Sequence, residues 1–145
     1  MSSDQTERES MIKGIYGLNV AVKNLDEAVA RYEAVFGVKA ERLTAKDFAF
    51  PGLSGAKLDV NGFYLTLIAS SSPDSPVAKF LERRGEGVFL LSVAVDQIDQ
   101  DTQALKRCGL QFILDKSATG AFGAVNFVHP KSMHGVQVEI YQPAG

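Results

Sequence analysis

Leu18-Asn19-Val20-Ala21-Val22-Lys23-Asn24-Leu25-Asp26 is written twice in this chain, the second time as Leu91-Ser92-Val93-Ala94-Val95-Asp96-Gln97-Ile98-Asp99. Both copies alternate small and branched apolar residues, pass a polar turn and reach an acidic helix start. The offset, Val20 to Val93, is 73 residues, about half the length of the chain. That spacing is too long for a solenoid and indicates duplication of one supersecondary module.

The copy extends beyond the shared stretch. From Leu25 onward, Leu25, Ala28, Val29, Tyr32, Val35 and Phe36 fall on one helical stripe, and Ile98, Thr102, Leu105 and Cys108 fall at matching offsets. Asn24 and Gln97 stand at the N-cap positions, while Gly37 and Gly109 follow the last apolar residues as C-terminal glycines do. Leu65-Thr66-Leu67 and Val138-Glu139-Ile140 are again 73 residues apart, so each module opens and closes on equivalent strands.

Composition narrows the classes of function. The 145 residues, 46% hydrophobic and 22% charged, are enough for a single core-bearing domain. A net charge of −2 gives no basic footprint for nucleic acid or an anionic membrane. One cysteine excludes an internal disulfide, and no 18-residue apolar run is present for a membrane span. Residues 1–11 read as a polar tail without signal-peptide character, which makes the cytoplasm the expected compartment.

In order, the pattern predicts a strand over 12–22, a helix over 25–36 and one extended segment, with a break of unassigned position, over 38–50. A turn at Pro51-Gly52 and Ser54-Gly55 follows, then strands over 56–60 and 63–69 about Asn61-Gly62, the strongest hairpin signal in the chain. A linker helix over 74–84 has Asp74 or Ser75 as cap and Pro76 at its first position. The second module repeats the order with a strand at 88–95, a helix at 98–108, and strands at 110–114, 122–128 and 136–141. The expected organisation is one α+β domain over 12–145, made of βαβββ modules 12–69 and 86–142.

Alternation then sorts the strands by face. The helix side takes Leu18, Val20, Val22, Phe63, Leu65, Leu67, Leu91, Val93, Val95, Val136, Val138 and Ile140. The other side takes Gly17, Asn19, Ala21; Tyr64, Thr66, Ile68; Leu90, Ser92, Ala94; and Gln137, Glu139, Tyr141. Small and polar residues at strand centres point to a concave, partly polar small-molecule pocket shared by the modules, in which Asn19, Tyr64, Thr66, Leu90, Ser92, Gln137 and Tyr141 are the expected ligand-contacting residues.

Asn24-Leu25-Asp26-Glu27-Ala28, Pro73-Asp74-Ser75-Pro76-Val77-Ala78-Lys79-Phe80-Leu81-Glu82 before Gly85-Glu86-Gly87, and Val128-His129-Pro130-Lys131-Ser132 before Gly135-Val136-Gln137-Val138-Glu139 resemble the methylmalonyl-CoA epimerase family of the vicinal oxygen chelate superfamily. The resemblance implies paired modules in a cupped eight-stranded mixed sheet, helices on its outer face, around a metal. It also implies a homodimer, for which unpaired edge strands give separate, weaker support. The family's ligand positions fall on Gly17, Thr66, Leu90 and Glu139, and only Glu139 keeps a metal-binding side chain. A transition metal needs three or four N, O or S donors. The expectation is therefore no metal and no cofactor.

Glu139, flanked by Val138 and Ile140, must be solvated by a pocket or hydrogen-bonded, with Asn19, Ser92 and Tyr141 as candidate partners, because a bare buried carboxylate is costly. The functional reading makes it a base with a raised pKa. The family's second catalytic carboxylate has Asp47 as its nearest counterpart. His129 and His134 read as turn residues at the rim, Lys131, Lys79, Arg83 and Arg84 as solvated, and Cys108 as a small core residue. Tyr16 is expected to pack on the helix side. Two functions follow: an isomerase or lyase that uses Glu139 for proton transfer on a small carbonyl or acyl compound, or a non-catalytic sequestering protein of the bleomycin-resistance type. Methylmalonyl-CoA epimerase activity is a further alternative.

Overall fold

The duplication read from the sequence is present in the hydrogen-bond register of the computed structural model, which describes residues 12–145. The expected tail, 1–11, lies outside the described residues. Strand β1 (Gly14–Ala21) runs parallel to β4 (Phe63–Ser70) with Leu18 opposite Leu65 and Asn19 opposite Thr66. Strand β5 (Gly87–Ala94) runs parallel to β8 (Val138–Pro143) with Leu91 opposite Val138 and Ser92 opposite Glu139, each pair 73 residues on. Parallel neighbours need a long crossover, supplied in one copy by the helix and hairpin between them and repeated in the other.

Packing divides the chain into two units, Gly17–Leu90 and Leu91–Gly145 with the described residues up to Tyr16. The division falls inside β1 and β5, and the linker helix belongs with the first unit. There the order is β2-β3-β4-β1, with β2 at Glu41–Leu43 and β3 at Leu53–Val60. In the second it is β5-β8-β7-β6, with β6 at Ala118–Gly120 and β7 at Gly123–Val128.

In the first unit α1 (Leu25–Phe36) starts at Asn24, whose Oδ1 accepts from Glu27 N at 3.0 Å, and ends on Gly37 at φ 69°. Its Leu25, Ala28, Val29 and Tyr32 pack on Leu18, Val20, Val22, Leu65 and Leu67, the face that alternation assigns to the helix. The hairpin between β3 and β4 turns on Asn61 (φ 54°) and Gly62 (φ 88°), and Asp59 Oδ1 accepts from Gly62 N at 2.7 Å. Both turn residues need positive φ, which Asn and Gly tolerate.

The linker helix α2 (Pro76–Arg84) is capped by Ser75, whose Oγ accepts from Ala78 N at 3.0 Å. It does not share the outer face with α1: Val77, Phe80 and Leu81 pack with Ala21, Ile68, Phe48 and Leu53, on the side of the sheet opposite α1. The break expected in 38–50 falls between β2 and a 3-10 turn at Ala45–Asp47. Two further expectations need correction. Ser54-Gly55 is not a turn but part of β3, where Gly55 lets the Phe48 ring and Leu67 O approach closely. Phe63, at the turn end of β4, is 37% exposed and joins no core.

In the second unit α3 (Ile98–Arg107) buries Ile98 and Leu105 against Val93, Val95 and Ile140. Gln97 occupies the cap position without a side-chain cap; Asp101 Oδ2 accepts from Gln97 N instead, at 3.2 Å. Burial raises the Asp101 pKa, that hydrogen bond opposing. Cys108, expected in the core, is exposed because the helix ends one residue before it. The expected strand 110–114 reduces to a bridge from Phe112 to Val128, since the buried Asn126 side chain takes over the pairing: its Oδ1 accepts from Leu114 N (3.2 Å) and its Nδ2 donates to Leu114 O (3.0 Å). The strand expected from 122 starts at Gly123, because Ala121-Phe122 is the two-residue turn of the β6–β7 hairpin. Val136 precedes β8 and is 48% exposed.

Candidate functional site

Val138 and Ile140 are buried on the α3 side, so the alternation of β8 places Glu139 on the other face. There Ser92 Oγ, itself 1% exposed, donates to Glu139 Oε1 at 2.7 Å. Of the three expected partners, Ser92 is the one that holds the carboxylate. Desolvation pushes the Glu139 pKa up to about 7, with the Ser92 hydrogen bond pulling the other way. The residue keeps partial exposure. A carboxyl group of this kind exchanges its proton near neutral pH.

Tyr141, two residues on, donates its hydroxyl to Phe122 O at 2.7 Å, and its ring meets that of Tyr16 edge-on at 4.8 Å. The expectation that Tyr16 packs on the helix side fails. The β1–β4 register begins only at Gly17; upstream, Lys13 N donates to Ala94 O, so parity counted from β4 does not extend to Tyr16. Gln137 lies just before β8, half-buried, with its carbonyl accepting from Leu91 N at 2.9 Å.

The first unit holds the other expected residues. Asn19 on β1 is opposite Thr66 on β4, which is opposite Lys57 on β3; Gly17, Tyr64 and Asp59 form the next row along. Thr66 is 9% exposed, Asn19, Tyr64 and Lys57 are half-buried, and the Lys57 ammonium lies 4.9 Å from the Tyr64 ring centroid. Leu90 is buried at 3%. Sequence reading passed over Lys57, although the two-residue Asn61-Gly62 loop fixes its pairing with Thr66.

Asp47 has hydrogen-bond partners within its own turn. It closes the 3-10 turn, its Oδ2 accepting from Thr44 N at 2.7 Å and Thr44 Oγ1 at 3.3 Å, and it is exposed. His129 begins another 3-10 turn, Pro130–Met133, and its Nδ1 accepts from Lys131 N at 3.2 Å; His134 ends it at φ 55°. A shallow groove of about 380 Å³ near the start of α2 is lined by Lys23, Ser70, Ser71, Ser72, Pro73, Ala78 and Leu81. The Ser70 hydroxyl lies within hydrogen-bond distance of Gly52 O, Ser72 O and Ser75 Oγ and accepts from Ser72 N.

The residues present do not fit a transition metal at the implied positions. A Cβ at Gly17 would land on Tyr64 O, so β1 and β4 approach too closely there for a histidine. Leu90 has no donor, Thr66 offers one hydroxyl, and among the described residues no group of three His, Cys, Asp or Glu side chains comes together.

Residues 18–128 match the model of the glyoxalase/bleomycin resistance protein/dioxygenase superfamily. The chain belongs to this superfamily. Within it, the chain is 29% identical over 125 residues to the mitochondrial methylmalonyl-CoA epimerase of Homo sapiens, covering 85% of this chain and 70% of that protein. It is 30% identical to the Dictyostelium discoideum epimerase over 137 residues, 88% of this chain and 78% of the other. The glyoxalase-superfamily fold is shared with the crystal structure of methylmalonyl-CoA epimerase from Mycobacterium tuberculosis, at a TM-score of 0.84 and 29% identity, over 94% of this chain and 91% of that one. A Streptomyces coelicolor epimerase in complex with 2-nitronate-propionyl-CoA gives 0.82 and 27%, over 92% and 99%. Among the described residues of this superfamily member, no helix is long and apolar enough to cross a membrane.

Proposed function

We propose that this protein exchanges a proton at the carbon next to the carbonyl of a small acyl compound, an acyl thioester in the first instance, with Glu139 as the base and without a metal ion. The observation that carries this reading is the Glu139–Ser92 pair. A carboxyl group titrating near pH 7 is matched to operation at neutral pH, and the Ser92 hydroxyl holds it in a fixed direction. The carboxylate removes the α-proton, the C–H electrons pass into the carbonyl to give an enolate, and the proton returns from Glu139 or from water. Tyr141 is a weaker donor than expected because its O–H goes to Phe122 O. Resemblance to methylmalonyl-CoA epimerases supports the substrate class, and the emptied ligand positions Gly17 and Leu90 support the metal-free step.

Those same positions favour one second reading: a sequestering protein, in which Leu90 packs on an apolar ligand and nothing turns over. The test is deuterium wash-in at the α-carbon of methylmalonyl-CoA and propionyl-CoA in D2O, followed by NMR. The proposed function predicts exchange that Glu139→Gln reduces at least about 100-fold with ligand binding retained. Binding of either ligand without exchange by the wild-type protein would establish the second reading and reject the first.

A further inference from the structure

Glu139 lies between Ser92 on β5 and Phe127 on β7, its register partners on either side. Opposed residues on antiparallel strands share a face with Cβ atoms roughly 4.5–5.5 Å apart, so the Phe127 side chain stands beside the carboxylate. One step along the same face, Ala94, Tyr141 and Val125 form the next row, which Ala118 on β6 extends. Val125 is buried there, and the Tyr141 ring meets that of Tyr16 edge-on. We infer that the substituent on the ligand's reacting carbon is hydrocarbon: the second unit takes acyl thioesters with an alkyl group at the α-carbon and rejects those with a carboxylate there. This selectivity rests on Glu139 being the base of the proposed chemistry, and adds to that reading the kind of acyl group it acts on.

The charges around Glu139 point to it. Among the described residues, strands β5, β6, β7 and β8 carry one charged side chain, Glu139 itself. Of the second unit's cations, Lys13 pairs with Asp96 at 3.5 Å, and Lys106 and Arg107 end α3, which packs on the opposite face. Lys116 and Lys131 are exposed outside the strands. His129, two residues beyond Phe127, accepts from Lys131 N at Nδ1, which is the neutral form of the ring. A general base works within hydrogen-bond reach of the proton it takes. A carboxylate bonded to the same carbon would then lie about 4–5 Å from ionised Glu139, where two like charges in a partly desolvated site repel by at least a factor of about thirty in affinity. An alkyl group in that place meets the Phe127 ring instead, and both surfaces leave water.

The experiment uses the full chain with isobutyryl-CoA and methylmalonyl-CoA. These differ only in a methyl or a carboxylate on the α-carbon, so contacts to the rest of the coenzyme cancel. Affinity is measured by isothermal calorimetry at pH 8, and α-proton exchange by NMR in D2O, for wild type, Glu139→Gln and Phe127→Ala, each checked for cooperative melting. Wild type is expected to bind isobutyryl-CoA at least about thirtyfold tighter than methylmalonyl-CoA. Glu139→Gln should narrow the gap to about threefold or less by gaining affinity for methylmalonyl-CoA, and Phe127→Ala should lose about tenfold for isobutyryl-CoA. Equal affinity for the two esters, a preference for methylmalonyl-CoA, an unchanged gap in Glu139→Gln, or wild-type isobutyryl-CoA affinity in Phe127→Ala would each overturn the selectivity. Exchange separates the two claims. Equal affinities with exchange that Glu139→Gln abolishes would keep the base and remove the selectivity, whereas thirtyfold discrimination without exchange on either ester would keep the ligand preference and reject Glu139 as base. Binding of neither ester would reject both.

Discussion

Replacing Glu139 with Gln should make the protein more stable at alkaline pH while removing its proposed chemistry. Burial raises the folded-state pKa from 4.5 to about 7, so between those values the folded chain holds a proton that the unfolded chain has released. Stability from this group is fully present below about pH 4.5, falls as pH rises to about 7, and is flat above that. At about 1.36 kcal/mol per pKa unit the ceiling is about 3 kcal/mol; with the residue partly exposed, about 1–2 kcal/mol is expected. The glutamine side chain keeps the shape, its amide oxygen still accepts from Ser92, and it carries no charge at any pH. Thermal and urea melts from pH 4.5 to 9 should therefore show the variant close to wild type at the acid end. Above pH 7 it should be higher in Tm by roughly 3–8 °C. A pH-independent difference, or a variant less stable at pH 8, would refute the claim that this carboxylate is held at a desolvation cost.

Three other outcomes follow. Ser92→Ala removes the hydrogen bond that favours the charged form, so the alkaline rise of the exchange rate should move to higher pH; an unmoved profile would show that Ser92 does not govern the base. Gly17→Ala should destabilise by about 1–3 kcal/mol or more, because the new Cβ meets Tyr64 O where two paired strands cannot part locally; a wild-type melting curve would contradict this close approach. Cys108 should react with a thiol reagent in the folded protein at close to the rate of the unfolded chain, whereas strong protection would return it to the core.

Much of the fold was legible because the chain repeats itself. The 73-residue offset aligned Asn19–Thr66 with Ser92–Glu139, and those are the register pairs observed. The α1 stripe, Asn24, Gly37, Ser75 and the Asn61-Gly62 turn are local signals that tertiary packing did not override. What was missed depended on nonlocal partners. Nothing near 110–114 announces that a buried Asn126 side chain replaces strand pairing there, and the Ala45–Asp47 turn consumes Asp47 as its own cap. The side chosen by α2 was hidden because its apolar residues match either face; Ala21 and Ile68 decide it. Tyr141 was placed by alternation, but its hydroxyl partner is a carbonyl in a turn misread as a strand. Lys57 was overlooked although the hairpin's loop length already fixed it beside Thr66.

Metal dependence tests the account most directly. α-Proton exchange on methylmalonyl-CoA or propionyl-CoA would be measured with protein stripped by chelator and verified by elemental analysis, before and after adding Co²⁺, Zn²⁺ or Mg²⁺. The account predicts undiminished exchange in the stripped protein, dependent on Glu139 and insensitive to added metal. Exchange that appears only with a stoichiometric metal ion would contradict it.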